Sequence, residues 1–281
     1  MWRVSFALAL AGCVATRTPL FVAAPPREDP PVDALLDQAA QAFAAREDPR
    51  ALDRAIALLR DASAQNPSDP AILVRLSQAA RLRAESLDGR AGAKLADEAV
   101  GFAERALATN AELRALVQAR REPDVVFAAA TERDLPALVA YCEALFSWSD
   151  RAGTQTVMQQ QRWIQASCTR AITFDRAAGY GAADRVLASL DAALPVGDGA
   201  NFVDAMERFE ASIAEAPGYL PTRVAYAERL AARLREETLY HRLLDEAANA
   251  DPNALPAAAP ENRIAQRRAR ALLERELRAS N

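Results

Sequence analysis

Residues 202–252 read FVDAMERFEASIAEAPGYLPTRVAYAERLAARLREETLYHRLLDEAANADP. Phe202, Ala205, Met206, Phe209, Ile213 and Ala216 recur at intervals of three and four up to Pro217-Gly218. That spacing places them on one stripe of a helix. Pro221-Thr222 opens a second helix, since proline is tolerated in a first turn and stops a helix elsewhere. Its stripe is Val224, Ala227, Leu230, Ala231 and Leu234. Leu239, Leu243, Leu244 and Ala247 mark a third helix, which ends at Asp251-Pro252. Three amphipathic helices joined by short proline-marked turns make this stretch a set of helical hairpins.

The same pattern runs outward. From Val32 on the periodicity is helical almost everywhere, with no convincing run of strand alternation. Helices are predicted over 33–45 (Asp33 as cap), 51–65, from Asp69-Pro70 onward, and over 93–108, 154–176 and 182–193, with Gly89 and Gly92 bracketing a loop. Another follows Asp134-Leu135-Pro136 and carries Leu138, Tyr141, Cys142, Leu145 and Trp148. Pro217 and Pro252 stand 35 residues apart, near the ~34-residue period of tetratricopeptide repeats. The expected fold is all-α, a single domain over 32–281 of tetratricopeptide-like helical hairpins forming an α-α superhelix or a closed helical bundle. A helix pair cannot bury its apolar face alone, so stacked neighbours supply the core.

The 281 residues are 51% hydrophobic and 26% charged, with a net charge of −4. This is the balance of a globular chain. It lacks the basic face or arm of a nucleic-acid binder. The N-terminus reads as an export signal. Arg3 precedes a short apolar run, Val4 to Ala11, too short to span a bilayer and suited to a signal peptide over 1–12. Leu10-Ala11-Gly12-Cys13 resembles the lipobox of bacterial lipoproteins, which implies lipidation of Cys13 and anchoring by several acyl chains. Val14, rather than Asp, follows the cysteine and favours the periplasmic face of the outer membrane. Prolines at 19, 25, 26, 30 and 31 make residues 13–31 an extended tether.

Catalytic chemistry is expected to be absent. His241 is the single histidine and follows Tyr240 on a helix without a nucleophile placed beside it, so a partly exposed helix histidine is expected. No metal-site motif or cofactor loop is present, and Gly179-Tyr180-Gly181 reads as a turn between helices, lacking the strand and third glycine of a dinucleotide loop. Cys142 and Cys168 are either buried free thiols or a bridge between successive helices. Aromatics crowd the middle third. They form either a core layer or the wall of an apolar cleft. On the second reading Tyr141, Trp148, Trp163 and Tyr180 are the cleft candidates, with Arg170 to grip a carboxylate in two-pronged fashion.

Gly197-Asp198-Gly199, Ala205, Phe209, Ile213, Pro217-Gly218-Tyr219-Leu220, Arg223-Val224, Ala227, Tyr240, Leu243-Leu244, Asp251-Pro252, Glu261-Asn262, Ala265, Ala269 and Leu272-Leu273 run in an order that resembles the TatT family, the T component associated with TRAP-type transporters. Asn66-Pro67 and the helix from Tyr141 to Trp148 agree with it upstream. The resemblance implies a periplasmic lipoprotein with cryptic tetratricopeptide repeats. It would dock a periplasmic solute-binding protein and shuttle a small organic ligand without a catalytic step or cofactor. It also implies self-assembly around a pore, with a trimer as the homo-oligomer to test. The alternative is a repeat scaffold for outer-membrane or envelope assembly with no small ligand.

Overall fold

The structure is a computed structural model that describes residues 31–279. Cys13, the signal segment and nearly all of the tether lie outside the described residues. The elements are α1 (Asp33–Ala44), α2 (Pro49–Gln65), α3 (Pro70–Glu85), α4 (Gly89–Leu107), α5 (Ala111–Gln118), α6 (Pro123–Ala128), a 3-10 turn (Glu132–Asp134), α7 (Leu135–Ala152), α8 (Thr154–Phe174), α9 (Ala178–Ala193), α10 (Phe202–Glu215), α11 (Leu220–Tyr226), a π turn (Ala227–Ala231), α12 (Ala232–Leu234), α13 (Glu237–Asn249), a second 3-10 turn (Pro256–Ala258) and α14 (Ala259–Ala279). Among the described residues the fold is all-α, as the periodicity predicts.

Local chemistry sets most boundaries. Asp69 caps α3, its carboxylate accepting from the Ala71 and Ile72 amides, with Pro70 in the first turn. Asn110 caps α5 and Asn201 caps α10 in the same way. Two expectations change. Asp33 lies inside the first turn of α1 and Val32 holds the cap position without a side-chain bond. Gly92 sits within α4 rather than at a loop, and a Cβ there would lie 2.3 Å from the Leu87 carbonyl oxygen. The tight turn before α4 therefore needs a glycine one turn into the helix.

Consecutive helices pair: α1 with α2, α3 with α4, α7 with α8, α9 with α10, α13 with α14. Helix α7 also touches α3, α4 and α9, and it is buried nearly all round, from Ala137 to Ser149. That is the signature of a helix at the centre of the fold. Its Cys142 is joined to Cys168 of α8 by a disulfide, with Cα atoms 5.6 Å apart. The bridge settles the alternative left open by the sequence.

The first hairpin and the last helix meet. In the α1–α2 turn, Arg46 Nε and Nη2 each donate to one oxygen of Glu261 in α14, both at 2.6 Å and 215 residues away in sequence. Arg46 Nη2 also donates to the Ala257 carbonyl and Nη1 to that of Phe43. Beside them Arg263 Nε donates to Glu47 at 2.6 Å. Next to Glu261, the fully buried Asn262 accepts from the Leu220 amide and donates to the carbonyls of Gly218 and Pro252. So α14 is clamped on one side to the turn before α11 and on the other to the first hairpin, and the row of hairpins closes on itself.

Helices α9 and α10 share a buried charged face. Asp184 accepts from Arg176 at 2.6 Å and from Arg208 at 3.5 Å. Asp191, two turns further along the same face, has one ion-pair partner among the described residues, Arg208 at 3.9 Å. Burial pushes the Asp191 carboxyl up to about 6, against the weaker pull of Arg208.

Three outcomes follow from these contacts. Replacing Cys142 and Cys168 together by Ala removes a cross-link of sequence separation 26 and costs about 3.5 kcal/mol by loop entropy, read as a fall in the urea midpoint. Glu261→Ala leaves the Arg46 guanidinium buried without its carboxylate and costs about 3 kcal/mol, whereas Arg46→Met with Glu261→Leu restores most of that loss. Asp191 binds a proton more tightly folded than unfolded. Its contribution is therefore complete below about pH 4 and is lost as pH rises through about 6. Asp191→Asn accordingly gains about 2 kcal/mol on the parent between pH 4 and pH 7 in denaturant titrations.

Candidate functional site

The row of hairpins lines an open cavity of about 830 Å³, within the range of about 300–1,000 Å³ typical of small-molecule sites. Its wall is drawn from the α1–α2 turn, the start of α2, α3, α7, α9, α11, the π turn and α14. Apolar patches come from Leu52, Leu82, Phe146, Val186, Val224 and Ile264. The rest of the wall is unusually charged.

The charges are mostly paired within the wall. Glu143 of α7 accepts from Arg185 of α9 at 2.9 Å and from Arg81 of α3 at 3.4 Å. Arg81 also binds Glu85 at 2.7 Å. Arg229 holds Asp150 at 2.9 Å, and its guanidinium lies over the Phe146 ring. Arg268 holds Glu228 at 2.5 Å. Arg46–Glu261 belongs to the same lining. Burial opposes the charge on Arg81, but Glu143 and Glu85 more than reverse that and raise its pKa. Tyr219 sits under the Arg185 guanidinium at 4.8 Å. Burial pushes its phenol up to about 12, against the pull of Arg185.

The lining holds seven arginines and six carboxylates. Glu47 is shared between Arg267 of the lining and Arg263 behind it, and one lining arginine has no carboxylate partner at all. Arg151 at the end of α7 donates to the carbonyls of Ala84 at 2.7 Å and Leu87 at 3.1 Å, and neither neutralises it. A cavity with apolar patches and one cation in excess of its carboxylates can take an organic anion by charge-assisted hydrogen bonds.

One backbone irregularity lies in the wall and a second lies one contact behind it. The π turn Ala227–Ala231 interrupts what is otherwise one helix from Leu220 to Leu234, and its Glu228 and Arg229 face the cavity. Inserted turns of this kind recur at functional sites. The other is Gly179-Tyr180-Gly181, where all three residues are left-handed, with φ of 59°, 61° and 69°. The carbonyl of Tyr180 accepts from Arg185 Nη1 at 3.0 Å.

The five residues picked from the sequence as cleft candidates lie elsewhere. Tyr141 and Trp148 are buried in the central apolar cluster, and Trp163 packs against it. Tyr141 lies 5.8 Å from Phe127, and Trp163 meets the same ring edge-on. Arg170 donates to the Ala130 carbonyl and covers the Phe174 ring at 4.3 Å. Tyr180 stacks on Tyr219 at 4.9 Å and so reaches the wall indirectly. None of the five is in the lining itself. The wall residues Arg81, Glu143, Arg151 and Arg185 were missed, although two carry a sequence signal. Glu143 interrupts the run Val139 to Phe146, and Arg185 interrupts Ala182 to Leu190. A charge on the buried face of a helix needs a partner there.

His241 is exposed on α13, with Nε2 at 3.3 Å from Glu276. Among the described residues no group of three or more His, Cys, Asp or Glu is placed to hold a metal ion, and no helix is long and apolar enough to cross a membrane.

No curated protein matches the chain. The family model of the TRAP transporter T-component matches residues 50–278, a span that includes the whole cavity wall except Arg46, Glu47 and Pro49. With most of its length and nearly all of its candidate site inside that match, the chain belongs to the TRAP transporter T-component family, accessory components of TRAP transport systems.

Proposed function

We propose that the protein docks a periplasmic solute-binding protein of a TRAP system and takes a small organic anion into its central cavity, without a chemical step of its own. The observation that carries this reading is the open 830 Å³ cavity with apolar patches and one arginine beyond its carboxylates. Pre-paired charges suit transient binding. Every lining guanidinium but Arg151 already has an internal carboxylate, so beyond that one contact an incoming anion exchanges partners rather than meeting a naked charge, which limits affinity and favours release. Lipidation at Cys13 would hold this body at the periplasmic face of the outer membrane, with assembly into a homo-oligomer, taken as a trimer, to be read by light scattering.

Affinity capture of the lipidated protein from native membranes, with mass spectrometry, tests the docking. Recovery of a periplasmic solute-binding protein supports it; recovery only of envelope-assembly proteins overturns it in favour of a scaffold. The cavity is tested with anilinonaphthalene sulfonate, an anion with an apolar body. Parent protein is expected to bind the dye with enhanced fluorescence, and Arg151→Ala about tenfold more weakly, since a charged hydrogen bond is worth about 1.5–3 kcal/mol. Arg151→Lys retains most of the affinity. Equal binding by parent and Arg151→Ala sinks the anion reading.

A further inference from the structure

The Gly179-Tyr180-Gly181 turn has a residue that its backbone does not favour. Positive φ is costly for a residue with a Cβ. The two glycines are required by space as well. A Cβ on Gly179 would lie 2.9 Å from Val139 Cγ1, and one on Gly181 would lie 2.8 Å from Ser212 Oγ. Ser212 Oγ also donates to the Gly181 carbonyl at 2.9 Å, tying the turn to α10. The middle position has no such need for a bulky residue. Glycine or asparagine fits φ of 61° with less strain, yet a tyrosine stands there.

Strain retained at one residue is explained by what its side chain does. The Tyr180 ring does not contribute to the core: the three apolar clusters contain neither it nor Tyr219. It stacks on Tyr219 at 4.9 Å with planes 23° apart. On Tyr219 lies the guanidinium of Arg185. The same arginine is held by the Tyr180 carbonyl, and its other end is held by Glu143. Tyr180 thus touches this assembly twice, through its ring and through its strained backbone, while Tyr219, Arg185 and Glu143 form the wall.

We infer that Tyr180 is a positioning residue for the cavity. Its left-handed backbone and its stacked ring together fix Tyr219 and Arg185 against the wall, and so set the shape and charge that an anion meets there. The inference rests on the cavity being a binding site for the part that concerns affinity. The part that concerns Tyr219 does not depend on any ligand.

The test uses full-length protein with tyrosine labelled at ¹³Cζ, the Tyr219 resonance being assigned with Tyr219→Phe. In the parent, Tyr219 remains a phenol through pH 11. Tyr180→Gly keeps the turn and removes the ring, and Tyr180→Asn serves if the glycine variant folds poorly, since asparagine tolerates the same backbone. In either, water reaches Tyr219, its ionisation begins below pH 11, and anilinonaphthalene sulfonate binds about tenfold more weakly. Tyr180→Phe retains the stack and the carbonyl and matches the parent in both readouts. A Tyr219 titration unchanged in Tyr180→Gly or Tyr180→Asn overturns the inference. Failure of the parent to bind the dye counts against the cavity reading alone, and the titration then decides the positioning role.

Discussion

The Arg46–Glu261 pair is the constraint on which the shape of the molecule depends. A stack of helical hairpins is open by nature, because each hairpin needs only its neighbours. Closing it demands a contact between its ends, and here that contact spans 215 residues. It is polar. The N-terminal cluster is built on Leu52, Ile56, Leu59 and Leu76, the C-terminal one on Phe209, Leu230, Leu243 and Leu244, and the two share no residue. An apolar seam would draw the first hairpin and α14 together until the space between them was filled. A guanidinium gripping a carboxylate sets a fixed separation instead, and its geometry is specific. The closure therefore leaves a cavity where a hydrophobic contact would leave a core.

Helix α7 supplies the opposite condition, a rigid axis. It is packed by α3, α4, α8 and α9 and cross-linked to α8. One side of it lies in the central cluster through Leu138, Cys142 and Leu145, while Glu143, Phe146, Asp150 and Arg151 reach the cavity. Three charged residues of the wall, Glu143, Asp150 and Arg151, are mounted on this packed and cross-linked helix. Sites held on packed helices keep their geometry better than sites on loops.

The fold was legible because it depends on periodicity, which a single chain displays in full. Leu52, Ile56 and Leu59, or Leu239, Leu243 and Leu244, state their face without reference to anything distant. The cavity was not, because it depends on partners that lie far apart in sequence. Nothing near Arg46 announces Glu261, and nothing near Glu143 announces both Arg81 and Arg185. The aromatic residues drew attention instead. Trp148 and Trp163 are conspicuous, but conspicuous rings are usually buried for their area, and these pack in or against the central cluster. The informative signal was the inverse one, a charge inside an apolar run, as at Glu143 and Arg185. The glycine-flanked Tyr180 was rightly read as a turn; its left-handed backbone became visible only with the neighbours that require it.

Departures from regular helix are informative for the same reason. Most of the chain obeys its local preferences, with caps, prolines and apolar stripes in agreement. Of the two sharpest exceptions within helices, the π turn at 227–231 lies in the cavity wall, and the left-handed turn at 179–181 touches that wall through Arg185 and Tyr219. A regular helix through 220–234 would present Glu228 and Arg229 in a different register from the one that now meets Arg268 and Asp150. Selection for stability alone removes such irregularities, since each costs free energy that nothing local returns. Their convergence on one wall argues that it is shaped for an occupant rather than left over from packing.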